Sequence, residues 1–235
     1  MKIVIEGLDA SGKATQSKLL AERLKGTCIT VPDYSTETGK AILGNLKKEW
    51  CATGLIKPTA LRDGPPGIDR QAAVENNKLN ALVFQALMII NRYEMVPRIS
   101  EALKRGPVIL DRWTQSSTVY GVCSGLDPEW CERVQASLPQ ADVNILIDVP
   151  VEEGFKRRPE RRDRHETDRP FLEKVRVEYL KMWGMNKWGN APAIPYMGGV
   201  FSPRGDNWII INGLGTIEEI HEHICAVLRV SPGDK

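Results

Sequence analysis

The sequence predicts a doubly wound α/β fold around a parallel five-stranded sheet, on three observations. Short apolar runs recur along the chain and alternate with helix-length amphipathic stretches. The runs read as solid rather than alternating, which suits strands covered by helices on both faces. The first run, Met1 to Glu6 (MKIVIE), stops at a glycine-rich turn that leads into a helical stretch, giving strand, loop, helix.

Taken in order, Ala14 to Leu24 carries Leu19, Leu20 and Leu24 at helical spacing, and Cys28 to Val31 (CITV) reads as a second strand ended by Pro32. Thr36 to Trp50 reads as a helix weakened by Gly39 and Gly44. Residues 51–75, with Gly54, Pro58, Gly64, Pro65, Pro66 and Gly67, read as an irregular insert. A long helix is expected from about Ala72 to Lys104, apolar at Leu79, Leu82, Val83, Ala86, Leu87 and Ile90, with a break near Pro97. Pro107 to Leu110 (PVIL) is the third strand, ending at Asp111. Helices follow at Thr114 to Val122 and Pro128 to Ser137, then a fourth strand at Val143 to Val149. Phe171 to Trp188 reads as a helix, Trp208 to Ile211 as the fifth strand, and Thr216 to Leu228 as a helix capped by Thr216 with Glu219 three residues on. Met185 to Arg204 receives no assignment. No internal repeat or linker interrupts residues 1–235, so a single domain is expected.

Composition narrows the class of function. Lys and Arg number 32 against 30 Asp and Glu, a net charge of +2, so the chain lacks the strongly basic footprint of a duplex-binding protein and no nucleic-acid partner is expected. The five cysteines are scattered without C-x-x-C spacing and read as free thiols in a reducing compartment. No apolar run approaches the roughly 18 to 20 residues that span a bilayer, so a cytoplasmic protein without a membrane partner is expected.

Chemistry enters at Gly7-Leu8-Asp9-Ala10-Ser11-Gly12-Lys13, which fits G-x-x-x-x-G-K between a strand and a helix. Glycines there let backbone N–H groups surround phosphate oxygens, the following helix aims its positive end at the same anion, and Lys13 adds a full charge. The position after the lysine is usually Ser or Thr, whose hydroxyl reaches magnesium; here it is Ala14, with Thr15 one residue further. Magnesium would then be held mainly by nucleotide phosphates, water and carboxylates elsewhere.

From this loop onward, the chain resembles the thymidylate kinase family of the nucleoside monophosphate kinase group. IEGLDASGKATQSKLLAERL (Ile5 to Leu24) resembles that family's phosphate loop, and VPDYSTETGKAI (Val31 to Ile42) is similar to its F-P-x-x-S-T-x-T-G-K segment. NRYEMVPRI (Asn91 to Ile99) resembles its A-x-R-x-E segment, LDRW (Leu110 to Trp113) its D-R-[YFW] signature, and RHETDRPFLEKVRVEYLKM (Arg164 to Met182) the lid end and the helix after it. The resemblance implies a P-loop kinase fold with an arginine-rich lid, the reaction of ATP with dTMP to give ADP and dTDP, magnesium, and a homodimer. It further implies that Gly7, Ser11, Gly12, Lys13, Ala14 and Thr15 hold ATP phosphates. Asp111 would hold magnesium through water, and Arg112 would clamp a phosphoryl oxygen beside Lys13. Asp9 would reach the substrate sugar and Arg92 the monophosphate and base, with Trp113, Tyr120, Tyr34 and Met88 around the acceptor.

The family's catalytic arginine lies either in the phosphate loop, where this chain has Ala10, or in the lid. The lid, about residues 156–170, offers Arg161, Arg162 and Arg164, of which Arg162 is preferred, with Arg161 and Arg164 on the ATP side. His165 and Glu166 are read as closing the lid, and His221 and His223 as surface residues. Two departures fall on the acceptor side: Met88 replaces a stacking Phe, and Tyr34 stands where many relatives carry an arginine. They leave dUMP or a modified pyrimidine monophosphate as alternative acceptors. Ala14 and Ala10 leave a catalytically weak nucleotide-binding protein as an alternative of another class.

Overall fold

The computed structural model describes residues 1–47, 70–160, 168–184, 199–201 and 207–230. Among these, the strands are β1 (Lys2–Gly7), β2 (Thr27–Thr30), β3 (Val108–Asp111), β4 (Val143–Asp148), β5 (Gly199–Phe201) and β6 (Trp208–Asn212). They form one sheet in the order β2-β3-β1-β4-β6-β5. The five expected strands run parallel, and β5, from the stretch the sequence left unassigned, adds an antiparallel edge on β6.

Period-two alternation decides which side chains each face of the sheet receives. Ile3, Ile5, Ile109, Ile145, Ile147, Ile209 and Ile211 pack with Leu20 and Ala21 of α1 (Lys13–Arg23) and Ile220 and Ile224 of α8 (Ile217–Val227). Val4, Val108 and Leu110 face Met95, Ile99 and Ala102 of α3 (Arg70–Arg105), while Leu146 and Ile210 meet Val119 of α4 (Thr114–Cys123) and Val175 and Tyr179 of α7 (Arg169–Trp183). The same alternation sends Glu6 to the α3, α4 and α7 side. The helices α2 (Glu37–Leu46), α5 (Pro128–Arg133) and α6 (Val151–Arg157) complete the described elements.

Strand order also fixes where a ligand belongs. The chain leaves β1 toward β2 on one side and leaves β3 toward β4 on the other, so the winding reverses between the adjacent strands β1 and β3. Loops at the carboxyl ends of such a pair line the crevice of a doubly wound sheet. Here these are the loop from Gly7 and the turn from Asp111.

Several element expectations change. Helix α3 begins at Arg70, inside the stretch read as irregular, and runs through Pro97 without a break. Both Pro97 and Tyr93, whose carbonyl loses its helical donor, are exposed, so water can serve that carbonyl. Helix α5 gives way at Arg133 to tighter turns, with Gln135 N–H on the Glu132 carbonyl and Leu138 N–H on that of Gln135. Helix α7 stops at Trp183 because Gly184 takes φ 132°. The Thr216–Glu219 capping box forms as read. Residues 51–69 of the insert and 161–167 of the lid lie outside the described residues.

Candidate active site

The phosphate loop takes its shape from three backbone positions in left-handed regions. Gly7 has φ 151°, and a Cβ there would stand 2.7 Å from both the Ile147 carbonyl and Ser11 Oγ. Ala10 (φ 65°) and Gly12 (φ 94°) complete the curl, and Ser11 N–H donates to the Leu8 carbonyl at 3.2 Å. Helix α1 opens at Lys13 with no side-chain cap and no acidic residue in its first turn. Its leading N–H groups therefore stay available to an anion. Ala14 and Thr15 are exposed at this end, whereas Ser11 is buried with an Oγ that finds no hydrogen-bond partner among the described residues.

Asp9 joins this loop to the turn after β3. Its Oδ1 lies 3.1 Å from Lys13 Nζ and 2.7 Å from Arg112 Nη2, and Lys13 Nζ also donates to the Leu8 carbonyl at 3.1 Å. Burial works to raise the Asp9 pKa, but the charges and hydrogen bonds of Lys13 and Arg112 overcome it and hold the carboxyl well below the usual range. Arg112 mirrors this: burial works against its charge, Asp9 and then Tyr120, Tyr179 and Glu6 favour it, and the net shift is upward. Its Cζ stands 5.6 Å from the Tyr120 ring centroid. Arg112 also has φ 71°, an uncommon conformation for a side chain of this size, with its N–H on the Ile5 carbonyl at 3.0 Å.

On α3, Arg92 is fully buried. Nη1 donates to the Met88 carbonyl at 2.8 Å and Nη2 to the Trp113 carbonyl at 2.7 Å, while Nε has no partner among the described residues. Burial lowers its pKa to about 10 against the opposing pull of Glu6. A buried cation held by two carbonyls, with no direct carboxylate among the described residues, suits an anionic ligand. The Trp113 ring is itself fully buried, with Nε1 on the Pro139 carbonyl at 2.9 Å. It stands behind Arg92 as a supporting side chain, its own carbonyl accepting from Arg92 Nη2. Met88 is half-buried and Tyr34 is 40% exposed. Tyr120 is half-buried, packed at 6.0 Å and 58° against the Phe171 ring.

Asp111 is buried at the carboxyl end of β3, and its Oδ1 has no hydrogen-bond partner among the described residues. An orphaned carboxylate oxygen at this place fits a hard divalent cation. No group of three metal-ligating side chains exists among the described residues. Arg161, Arg162 and Arg164 fall outside the described residues.

Three participants stand inside the family-like segments but receive no role there. Asn91 is fully buried on α3, accepts Asp33 N–H at 2.9 Å, and presents its amide to Thr36 Oγ1 at 2.9 Å and Thr38 Oγ1 at 3.0 Å. It thereby fastens the 33–38 segment to α3, with Arg98 reaching Asp33 Oδ2 at 2.9 Å from outside. Glu6 and Tyr179 meet behind Arg112, the tyrosine hydroxyl donating to Glu6 Oε2 at 2.9 Å. Burial first, then the Glu6 charge, raise the Tyr179 pKa well above its ordinary value, so the phenol keeps its proton. A carboxylate closing an apolar strand that is covered on both faces was the available signal for Glu6.

Comparison with known proteins identifies the family. The sequence model of the thymidylate kinase family matches residues 5–52 and 67–190, leaving out the middle of the insert. A Pyrococcus abyssi protein named "probable thymidylate kinase" is 32% identical over 233 residues, covering 97% of this chain and 95% of that one. One of the same name from Thermococcus onnurineus is 33% identical over 237 residues, covering 97% of each. The thymidylate kinase of Schizosaccharomyces pombe is 33% identical over 153 residues, covering 63% of this chain and 60% of its own. Among solved structures, thymidylate kinase from Candida albicans superimposes with a TM-score of 0.65 at 23% identity, over 97% of this chain and 90% of that one, which speaks to the fold. This chain belongs to the thymidylate kinase family.

Proposed function

We propose that the chain is a thymidylate kinase that transfers the γ-phosphoryl group of ATP to dTMP, giving dTDP and ADP. The observation that carries this reading is the cluster Lys13–Asp9–Arg112, in which one carboxylate joins the phosphate loop to the turn after β3. It brings a cation from each loop to the place where the winding of the sheet reverses, so a donor phosphate and an acceptor phosphate can be gripped side by side. An oxygen of the dTMP phosphate attacks the γ-phosphorus, the bond to the β,γ-bridging oxygen breaks, and ADP leaves with that electron pair. Lys13, the loop N–H groups and Arg112 stabilise the charge on the oxygens of the group in flight. Arg92 holds the acceptor: two of its five N–H donors go to the Met88 and Trp113 carbonyls, and Nε has no partner among the described residues.

Magnesium, when bound, neutralises the β,γ-phosphate charge, and Asp111 is the residue that would hold it. With Ala10 in the loop, the further positive charge is assigned to the lid, to Arg162 ahead of Arg161 and Arg164. Ala14 leaves the first turn of α1 without a hydroxyl at the usual place, so Asp111 carries more of the metal. The exposed Leu79, Ile90 and Tyr93 follow one side of α3 and support a homodimer through that helix. The whole chain is read as one cytoplasmic domain, and no helix among the described residues is long and apolar enough to cross a membrane.

ADP release measured over a panel of monophosphates tests the reading. Turnover on dTMP at roughly 1 to 100 per second, well above that on dUMP, dCMP and dAMP, is expected. Equal use of dUMP would move the acceptor to the class suggested by the half-buried Met88 and the exposed Tyr34. No turnover on any monophosphate would leave a nucleotide-binding protein.

A further inference from the structure

Phosphoryl transfer as derived above gives Glu6 no task, yet its side chain is fully buried beneath the site (0% exposed). Removing a carboxyl group from water is costly unless every oxygen is served. Both oxygens here are served. Oε1 accepts Trp113 N–H at 2.9 Å and Ser116 N–H at 3.3 Å. Oε2 accepts Ser116 Oγ at 2.6 Å and the Tyr179 hydroxyl at 2.9 Å. These groups come from α7 and from the turn that carries Arg112 into α4.

We propose that Glu6 is a positioning residue that fixes the guanidinium of Arg112, acting through the backbone of the 112–116 turn and the hydroxyls of Ser116 and Tyr179. The proposal rests on the phosphoryl-transfer reading above. Two consequences of the hydrogen bonding support it. Arg112 is in a left-handed backbone conformation that a non-glycine residue keeps only when its surroundings enforce it, and the N–H groups of Trp113 and Ser116 that follow it are both tied to Oε1. The hydroxyls of Ser116 and Tyr179 direct their protons to Oε2, which leaves oxygen lone pairs toward Arg112 Nη1 at 3.2 and 3.4 Å. Asp9 then takes Nη2 at 2.7 Å, so the guanidinium is held from two sides. An amide at position 6 keeps the size and the backbone bonds, but its NH2 would donate to the two hydroxyls and compete with Arg112 for their lone pairs.

The test is a double-mutant cycle in the full chain between Glu6→Gln and Arg112→Ala, read in kcat and in melting temperature. Glu6→Gln should lower kcat about 10- to 100-fold, with a smaller change in the KM for ATP. Added to Arg112→Ala, it should cost less than about 3-fold, whereas its effect on melting temperature should be alike in both backgrounds. An unchanged kcat, or the same loss in both backgrounds, would overturn the proposal, since a merely structural role does not depend on Arg112. Should Glu6→Gln not fold, Tyr179→Phe removes one bond from Oε2 and is carried through the same cycle, with a loss of a few-fold expected only when Arg112 is present. A third readout does not need turnover: in protein labelled with 13C and 15N at arginine, the signal missing from Arg112→Ala identifies Arg112, and its Nε–Cζ rotation should quicken in Glu6→Gln. A parent chain that turns over no monophosphate would sink the proposed function, and this rotation would then decide on Glu6 by itself.

Discussion

The two loops that meet at Asp9 are built in opposite ways. The phosphate loop is made almost entirely of its own residues: Gly7, Ala10 and Gly12 set the curl, Ser11 N–H closes it on Leu8, and Lys13 reaches back to Leu8 and Asp9. The turn at Arg112 is held by residues far away in the chain, with Glu6 from β1, Tyr179 from α7, and Asp9 from the other loop. Its neighbour Arg92 is likewise held by carbonyls of Met88 and Trp113. A site written in one contiguous stretch tolerates change elsewhere in the fold, whereas one assembled from three elements is sensitive to each of them.

The largest effect expected from this contrast lies in the contiguous loop. Lys13→Met should lower kcat by about 10²- to 10³-fold, the loss that follows removal of a charge placed on a transition state. Its melting temperature should fall only by what the ion pair with Asp9 contributes, because Lys13 anchors no distant element. A matching collapse in stability would show that the loop depends on its surroundings as the Arg112 turn does. Arg92→Met comes next. Losing charge-assisted hydrogen bonds to a bound phosphate should raise the KM for dTMP about 10- to 100-fold and leave the KM for ATP nearly unchanged. Since Arg92 is a buried cation with an unpartnered Nε among the described residues, an apolar replacement should leave the fold as stable or more so. Equal rises in both KM values would place Arg92 outside the acceptor side.

That contrast also governs what the sequence could disclose. The sheet was legible because solid apolar runs bury on both faces wherever they stand, and the phosphate loop because its glycines, lysine and following helix are adjacent. Asp111 and Arg112 were legible as a strand-end pair. Asn91 was not, although it stands beside Arg92, because nothing in a helical pattern tells a buried amide from an exposed one until the 33–38 segment is folded against it. Pro97 misled through a local rule that an exposed carbonyl relieves.

Asn91→Ala would sharpen the point. It leaves the Asp33 N–H and the hydroxyls of Thr36 and Thr38 without the amide that serves them, at a cost of about 1 to 3 kcal/mol in stability. The KM for dTMP should rise, since the segment fastened here flanks Tyr34, while kcat at saturating dTMP should change little. A fall in kcat with unchanged KM would move Asn91 from the acceptor segment to the transfer step.

The smallest effect concerns the carboxylate shared by both loops, and it is read against pH. Asp9 is held well below the usual carboxyl range in the folded chain, so between its folded and unfolded values the unfolded chain binds the extra proton. The stabilisation it provides is therefore complete above the unfolded carboxyl pKa of about 4 and fades as pH falls below that. In thermal melts from pH 7 to pH 3, Asp9→Asn should be less stable than the parent at neutral pH, and the gap should narrow only below about pH 4. A gap that stays constant down to pH 3 would mean that the ion pairs with Lys13 and Arg112 add nothing to folding. Asp9 would then serve the reaction by joining two loops that are each already in place, and the contrast between them would be one of assembly alone.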